Sequence, residues 1–114
     1  MSAVPPRVSI VMPVHNRARL LDLVLRRLTD NTTHPDVELI AVDDHSTDGS
    51  PELLRRWAES GRGPRMRVIE SPGRGAIDAL NAGLQAAAGE LCVQIDDDVT
   101  IETPGWIESM LELM

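Results

Sequence analysis

Asp96, Asp97 and Asp98 stand in a row directly behind a short apolar run, Leu91-Cys92-Val93-Gln94-Ile95. Adjacent carboxylates repel one another, and a folded chain holds them most easily where a cation or a ring of donors offsets the charge. Taken alone, such a triplet reads as a solvated acidic turn. Its place behind an apolar run offers another reading, because ligands of open α/β sheets bind outside the carboxyl ends of the strands. Two further polar clusters follow apolar runs in the same way: His15-Asn16 after residues 8–14, and Asp43-Asp44 after residues 37–42. If the three runs are strands of one parallel sheet, all three clusters emerge at one edge and converge on one crevice. Asp96 and Asp98 would there hold Mg2+ or Mn2+, hard ions that take oxygen ligands and complete their shell with substrate phosphates. His15 and Asn16 could touch a base or ribose, and Asp43 could accept from a base N–H or a ribose hydroxyl. Bland readings stand beside these: His15-Asn16 as a cap on the first helix, and Asp43-Asp44 as an ordinary turn.

The elements that must position these residues alternate along the chain. VSIVMPV (8–14) is β-branched and nearly continuous in apolar character, as expected of a parallel strand covered on both faces. Residues 19–28 place Leu20, Leu21, Val24, Leu25 and Leu28 at helical spacing. A turn-rich break (31–35) precedes a second strand, 37–42. Ser50 is positioned as an N-cap, with Pro51 at the first helical position and Glu52 favourable to the dipole. That helix runs to about residue 60 and buries Leu53, Leu54 and Trp57. A short strand (66–69), an Ala-rich helix (76–88) closed by Gly89 as C-terminal cap, and a strand (91–95) follow. Such alternation predicts an α/β fold with a doubly wound, mainly parallel sheet. Residues 1–7 read as a leader and 8–114 as one domain. The last helix carries Trp106, Ile107, Met110 and Leu111 and stops at Met114 with an apolar end. This predicts a part of something longer, with Trp106, Met110 or Leu111 exposed and available for self-association.

Composition narrows the partners. The chain has no Phe and no Tyr, and its net charge is -7. Both disfavour nucleic acid, which is bound through aromatic platforms and basic side chains. All eleven basic residues are arginine. Cys92 is the only cysteine and lies within an apolar run, so it is expected to be a small buried hydrophobe and implies no disulfide. No signal peptide and no bilayer-spanning stretch is evident, and the expected location is cytoplasmic.

Other folds with clustered aspartates fit less well. A phosphorelay receiver would carry its acidic pair after the first strand, where this chain has His15-Asn16. The first strand lacks D-x-D-x-[TV], a lysine-free chain cannot form a phosphate-binding G-x-x-x-x-G-K-[ST] loop, and no G-x-G-x-x-G follows the first strand.

Taken in order, VSIVMPVHNR, VELIAVDDHSTDGS and GAIDALNAGLQAAAGELCVQIDDD resemble three signatures of one family. The chain resembles the N-terminal half of a nucleotide-sugar glycosyltransferase of the GT-A fold, in the large family-two type of inverting enzymes. The resemblance covers almost the whole chain. It implies a nucleotide pocket formed by Pro13, Val14, His15 and Asn16, with Asp43 on the base and Asp44 holding its loop. Arg74, between Gly73 and Gly75, would meet the base or diphosphate. Asp96 would face the ribose, Asp98 would ligate a Mn2+ or Mg2+ that bridges the diphosphate, and Asp97 would contact ribose or nothing. Asn81 and Gly83 match the family's helix, with packing as their expected role. The partner implied is a nucleotide-diphosphate sugar, the acceptor being unknown. The resemblance places the catalytic base and most of the acceptor site beyond Met114, and neither His34 nor His45 is positioned to replace them. Two other functions stay open on the sequence: a non-catalytic nucleotide-binding module, and a metal-dependent nucleotidyl- or phosphotransferase.

Overall fold

The apolar periodicity of the chain is spent on the two faces of one sheet. In the computed structural model, which describes residues 5–114, β1 (Val8–Val14), β2 (Val37–Asp43), β3 (Arg65–Glu70) and β4 (Leu91–Gln94) form a parallel sheet in the order β3-β2-β1-β4. All of β2 and all of β1 except Pro13 are buried. Ile10, Met12 and Val14 of β1, with Leu39 and Ala41 of β2, pack beneath α1 (Ala18–Asn31), α2 (Ser50–Ser60) and Ile107 of α4 (Trp106–Glu112). On the opposite face Val11, Ile40 and Val42 meet α3 (Ala76–Ala86). Helices on both faces explain why the central strands read as continuous apolar runs.

Alpha3 lies close to the sheet because Gly83 has no side chain. A Cβ there would stand 2.3 Å from Val11 Cγ1 and 3.1 Å from Val42 Cγ2. The packing role expected of Gly83 is thus observed. Gly89, expected to cap α3, does something else. The helix ends at Ala86 with Ala87 as its cap, and Gly89 lies against β1, where a Cβ would fall 2.7 Å from Ser9 N. Its own N–H donates to Ser9 Oγ at 2.8 Å.

Three further expectations need correction. Cys92 is exposed, not buried. Its strand β4 pairs only with β1 among the described residues, Ser9 lying opposite Cys92, and α3 covers β1 and β2 without reaching this edge. Ser50 is not an N-cap: α2 begins at Ser50 behind Gly49, and Asp48 Oδ1 accepts the Ser50 N–H at 2.9 Å. Trp106, Met110 and Leu111 are half-buried, Trp106 and Leu111 against the core, and Trp106 Nε1 donates to Thr32 Oγ1 at 3.0 Å. Leu113 and Met114 are exposed.

The turn-rich break is shorter than expected, because α1 continues to Asn31, whose Nδ2 donates to Ile101 O at 2.7 Å. Of the leader, residues 1–4 lie outside the described residues, while Pro6 and Arg7 are tied down by His34 (Nε2 to Pro6 O, 2.7 Å) and Asp36. This places His34 at the edge of the sheet away from the three polar clusters. Among the described residues, no helix is long and apolar enough to cross a membrane.

One buried charge sits under the end of α3. Glu38 is 3% exposed, and its Oε2 accepts from Ser9 Oγ at 2.6 Å and from Ala88 N at 2.7 Å, with Arg67 3.6 Å from Oε1. Burial alone would raise this carboxyl, but the bonds from Ser9 and Ala88, with Arg67 and Arg65 beside them, outweigh it and hold the group below its ordinary 4.5. A lowered carboxyl stabilises the fold fully above the unfolded value and loses that contribution as pH falls through the folded one. Glu38→Gln should therefore destabilise by about 1–3 kcal/mol near neutrality and converge on the parent in acid, as urea unfolding from about pH 7 to about pH 3 will show. Gly83→Ala should cost about 1–3 kcal/mol by overpacking against Val11, measured in the same experiment.

Candidate functional site

The three polar clusters meet at the carboxyl edge of the sheet, and the loops that carry them are bonded to each other. Val14 O accepts the Asp44 N–H at 2.8 Å, so the ends of β1 and β2 stay paired after their side chains diverge. Beyond that point the loop before α1 is capped by the loop before α2. Asn16 N donates to Ser46 Oγ (3.0 Å), Arg17 N to Ser50 Oγ (3.0 Å) and Ala18 N to Asp48 Oδ2 (3.0 Å). In return Thr47 N donates to Asn16 Oδ1 at 2.7 Å. The first N–H groups of α1, which have no partner within a helix, are thereby satisfied from the neighbouring loop. Hydrogen bonds from Ser50, and then from Ala18, hold the Asp48 carboxyl below its ordinary 3.8. The expected cap on α1 thus exists, but it is supplied by Asp48 and Ser50, not by His15 and Asn16.

Asp43 and Asp44 serve neighbouring clefts. Asp44 lies on the first, of about 430 Å³, together with Pro13, Val14, His15, Asn16, Arg17, Ala76, Gln94 and Asp96 to Asp98. Asp43 lies on the second, of about 450 Å³, with His45, Ser46, Arg55, Glu70 and Arg74 among its neighbours. Both are of a size that suits small-molecule ligands. The structure therefore brings Pro13, Val14, His15, Asn16, Asp96, Asp97 and Asp98 together in one cleft and places Asp43 and Arg74 in the next. The two share the Asp43-Asp44 turn as a wall.

Within the first cleft the residues differ in how free they are. Val14 is fully buried, so its side chain belongs to the core. Asp44 O can only accept, so the His15 imidazole carries its proton on Nδ1, 2.6 Å away, and Nε2 is left as an acceptor 3.4 Å from Asn16 Nδ2. Asp97 is already engaged through both oxygens, taking His15 N (3.0 Å) and Arg17 Nε (3.0 Å). That hydrogen bond and charge push the Arg17 guanidinium further above its ordinary value, so it stays cationic. Asp96 and Asp98 are exposed, with Gln94 Nε2 at 3.4 Å from Asp96 and Arg17 Nη2 at 3.7 Å from Asp98.

In the second cleft Asp43 is 6% exposed. Its Oδ2 accepts from Ser46 N at 3.3 Å, while its buried Oδ1 has no partner, and neither does the buried Ser71 Oγ. A buried carboxylate oxygen without a donor is costly, and a ligand N–H or O–H reaching it would remove the cost. Arg74 is exposed at the mouth of this cleft. Its loop is fixed by Asp44, whose two oxygens accept from Gly75 N at 3.1 Å, and by His45 Nε2, 2.8 Å from Gly73 O. The Asp44 side chain thus holds the neighbouring Gly73-Arg74-Gly75 loop, not its own.

Among the described residues no three His, Cys, Asp or Glu side chains form a metal cage. The donor set nevertheless fits Mg2+ or Mn2+, which are bound through one or two carboxylates while water and substrate phosphate supply the rest. Asp96 and Asp98 are the exposed carboxylates of the first cleft that could hold such an ion.

The chain's relatives have the same architecture. Residues 9–114 match the model of Glycosyl transferase family 2, so the chain belongs to that family. It is 35% identical over 94 residues to the undecaprenyl-phosphate 4-deoxy-4-formamido-L-arabinose transferase of Pseudomonas savastanoi pv. phaseolicola, covering 81% of this chain and 28% of that protein. It superposes with a TM-score of 0.87 and 30% identity on the mannosyltransferase PcManGT from Pyrobaculum calidifontis in complex with GDP-Man and Mn2+, covering 96% of this chain and 32% of the other. Staphylococcus aureus TarS 1-349 in complex with UDP-GlcNAc shares the fold, with a TM-score of 0.76 at 22% identity, over 93% of this chain and 30% of that one. The chain thus spans about a third or less of the length of these relatives, and its sheet is that of the GT-A fold.

Ser46, Asp48, Ser50 and Arg17 carry the site's architecture without having stood out as candidates. The D-H-S-T-D-G-S run signals the first three only once the two loops are known to be neighbours. Asp48→Ala should cost about 1 kcal/mol through the lost cap and speed hydrogen exchange at the Ala18 amide, leaving the β3 amides unchanged. Exchange followed by NMR will show whether the effect stays local.

Proposed function

We propose that this chain binds the donor of a glycosyl transfer, a nucleotide-diphosphate sugar, across the two clefts. The observation that carries the proposal is the division of labour among the aspartates. One buried oxygen, Asp43 Oδ1, lacks a donor in the second cleft, and two exposed carboxylates, Asp96 and Asp98, are held in the first only by long contacts from Gln94 and Arg17. In this reading Asp43 accepts from the base, Arg74 closes over base or diphosphate, and Pro13, His15 and Asn16 line the ribose side with Asp96. Asp98 and Asp96 hold Mn2+ or Mg2+, and Asp97 shapes the loop between them. When bound, the metal offsets charge on the departing nucleoside diphosphate. Carboxylates alone would repel that group, so the acidic cleft itself argues for a cation. PcManGT, a relative in complex with GDP-Man and Mn2+, supports a nucleotide sugar and a divalent ion as the ligands.

Inversion at the anomeric carbon, by an acceptor hydroxyl deprotonated by a carboxylate, is the family-two mechanism we assign to the whole enzyme. We place that base and the acceptor site outside these residues.

Titration calorimetry with UDP, GDP and dTDP, each with and without Mn2+, tests the reading. At least one nucleotide should bind only with metal, Asp98→Ala should abolish that binding, and Asp43→Ala should weaken it about tenfold or more. Binding that is indifferent to metal would remove the role of Asp98. No binding of any of the three would overturn the proposal.

A further inference from the structure

We propose that Arg17 is a built-in counterion that competes with the divalent metal for Asp98, so that metal and nucleotide are taken up together and not in sequence. The inference rests on the assignment of Asp98 to the metal made above. Its starting point is how unequally Arg17 is held. Its backbone is fixed: the N–H donates to the buried Ser50 Oγ, and the carbonyl accepts from Leu20 N and Leu21 N at 2.9 and 2.8 Å. Its side chain is 40% exposed and lines the first cleft.

The guanidinium meets two carboxylates of different character. Asp97 is 13% exposed, bonded to Nε at 3.0 Å and also to His15 N, which makes it a fixed anchor. Asp98 is 50% exposed, and Nη2 approaches it at 3.7 Å, an ion-pair distance too long for a hydrogen bond. The Asp98 end is therefore the one that yields.

Arg17 is also the only arginine among the residues lining this cleft, which include Asp44, Asp96, Asp97 and Asp98. A divalent ion arriving alone at Asp98 meets a cation already there. Like charges at that separation oppose its binding. A nucleoside diphosphate brings anionic oxygens that both cations can share. Arg17 can then turn from Asp98 toward phosphate while Asp97 keeps its stem in place. Each ligand thereby raises the affinity of the other by the same factor, as linkage requires. Arg17 is on this account a positioning residue, acting on the metal through Asp98.

Mn2+ binding followed by electron paramagnetic resonance of the free ion separates this from a purely structural clamp. The protein is measured alone and with UDP, GDP and dTDP in turn. Arg17→Gln keeps an amide donor but removes the charge. It should bind Mn2+ alone about fivefold or more tighter than the parent and lose a matching share of the coupling to nucleotide. Arg17→Lys should stay near the parent in both. A clamp whose loss merely loosens the loop would instead weaken Mn2+ binding, and that result, or no change, overturns the inference while leaving the metal site itself intact. If the parent takes up no Mn2+ even with a nucleotide, the metal assignment fails and the inference falls with it. In the parent protein, the Arg17 Nε–H resonance should shift on adding Mg2+ and nucleotide together and not with the same Mg2+ alone. A shift with Mg2+ alone overturns the proposal without relying on any variant.

Discussion

Four hydrogen bonds between the loop after β1 and the loop after β2 hold the working edge of this protein together. Asn16, Arg17 and Ala18 donate their N–H groups to Ser46, Ser50 and Asp48, and Asn16 receives one from Thr47. Parallel strands separate where their hydrogen-bond ladder ends, and the turns beyond them have unpaired backbone to satisfy. Here each loop satisfies the other. The arrangement also requires Asn16 and His45 to adopt positive φ (51° and 54°), a conformation that non-glycine residues rarely take. Those two residues turn the chain so that His15 and Asp44 meet on one side and Asp43 drops into the other cleft. The geometry of both clefts follows from this mutual capping.

The same economy appears on the α3 face. Glu38 is a buried carboxylate whose partners come from β1, from the end of α3 and from β3. It ties together elements that the apolar contacts of Val11, Ile40 and Val42 bring close. Gly83 and Gly89 permit the approach at two points along the same path. A polar group that is fully partnered in this way fixes the placement of a helix that would otherwise slide over a smooth aliphatic surface.

The architecture is legible in the sequence because the strands of a doubly wound sheet are continuous apolar runs, and the clusters behind them then have one place to go. The convergence of His15, Asn16 and Asp96 to Asp98 follows from topology alone. What is not legible depends on distances between residues far apart in sequence. Nothing local separates Asp97 from its neighbours, yet its carboxylate is spent on Arg17 and His15, 80 and 82 residues away. Ser50 before a proline looks like a helix cap because local spacing cannot show that Arg17 is waiting for its hydroxyl. Nor does an apolar run declare whether its strand is central or at an edge, and for this reason Cys92 reads as buried.

That misplaced cysteine has a practical side. Cys92 is the sole thiol of the chain, exposed on β4 four residues before Asp96. Its backbone belongs to the strand that delivers the aspartates, while its side chain takes no part in the core. A single fluorophore or spin label can therefore be attached there without first removing competing sulfurs. The protein carries its own reporter position on the strand that leads into the first cleft.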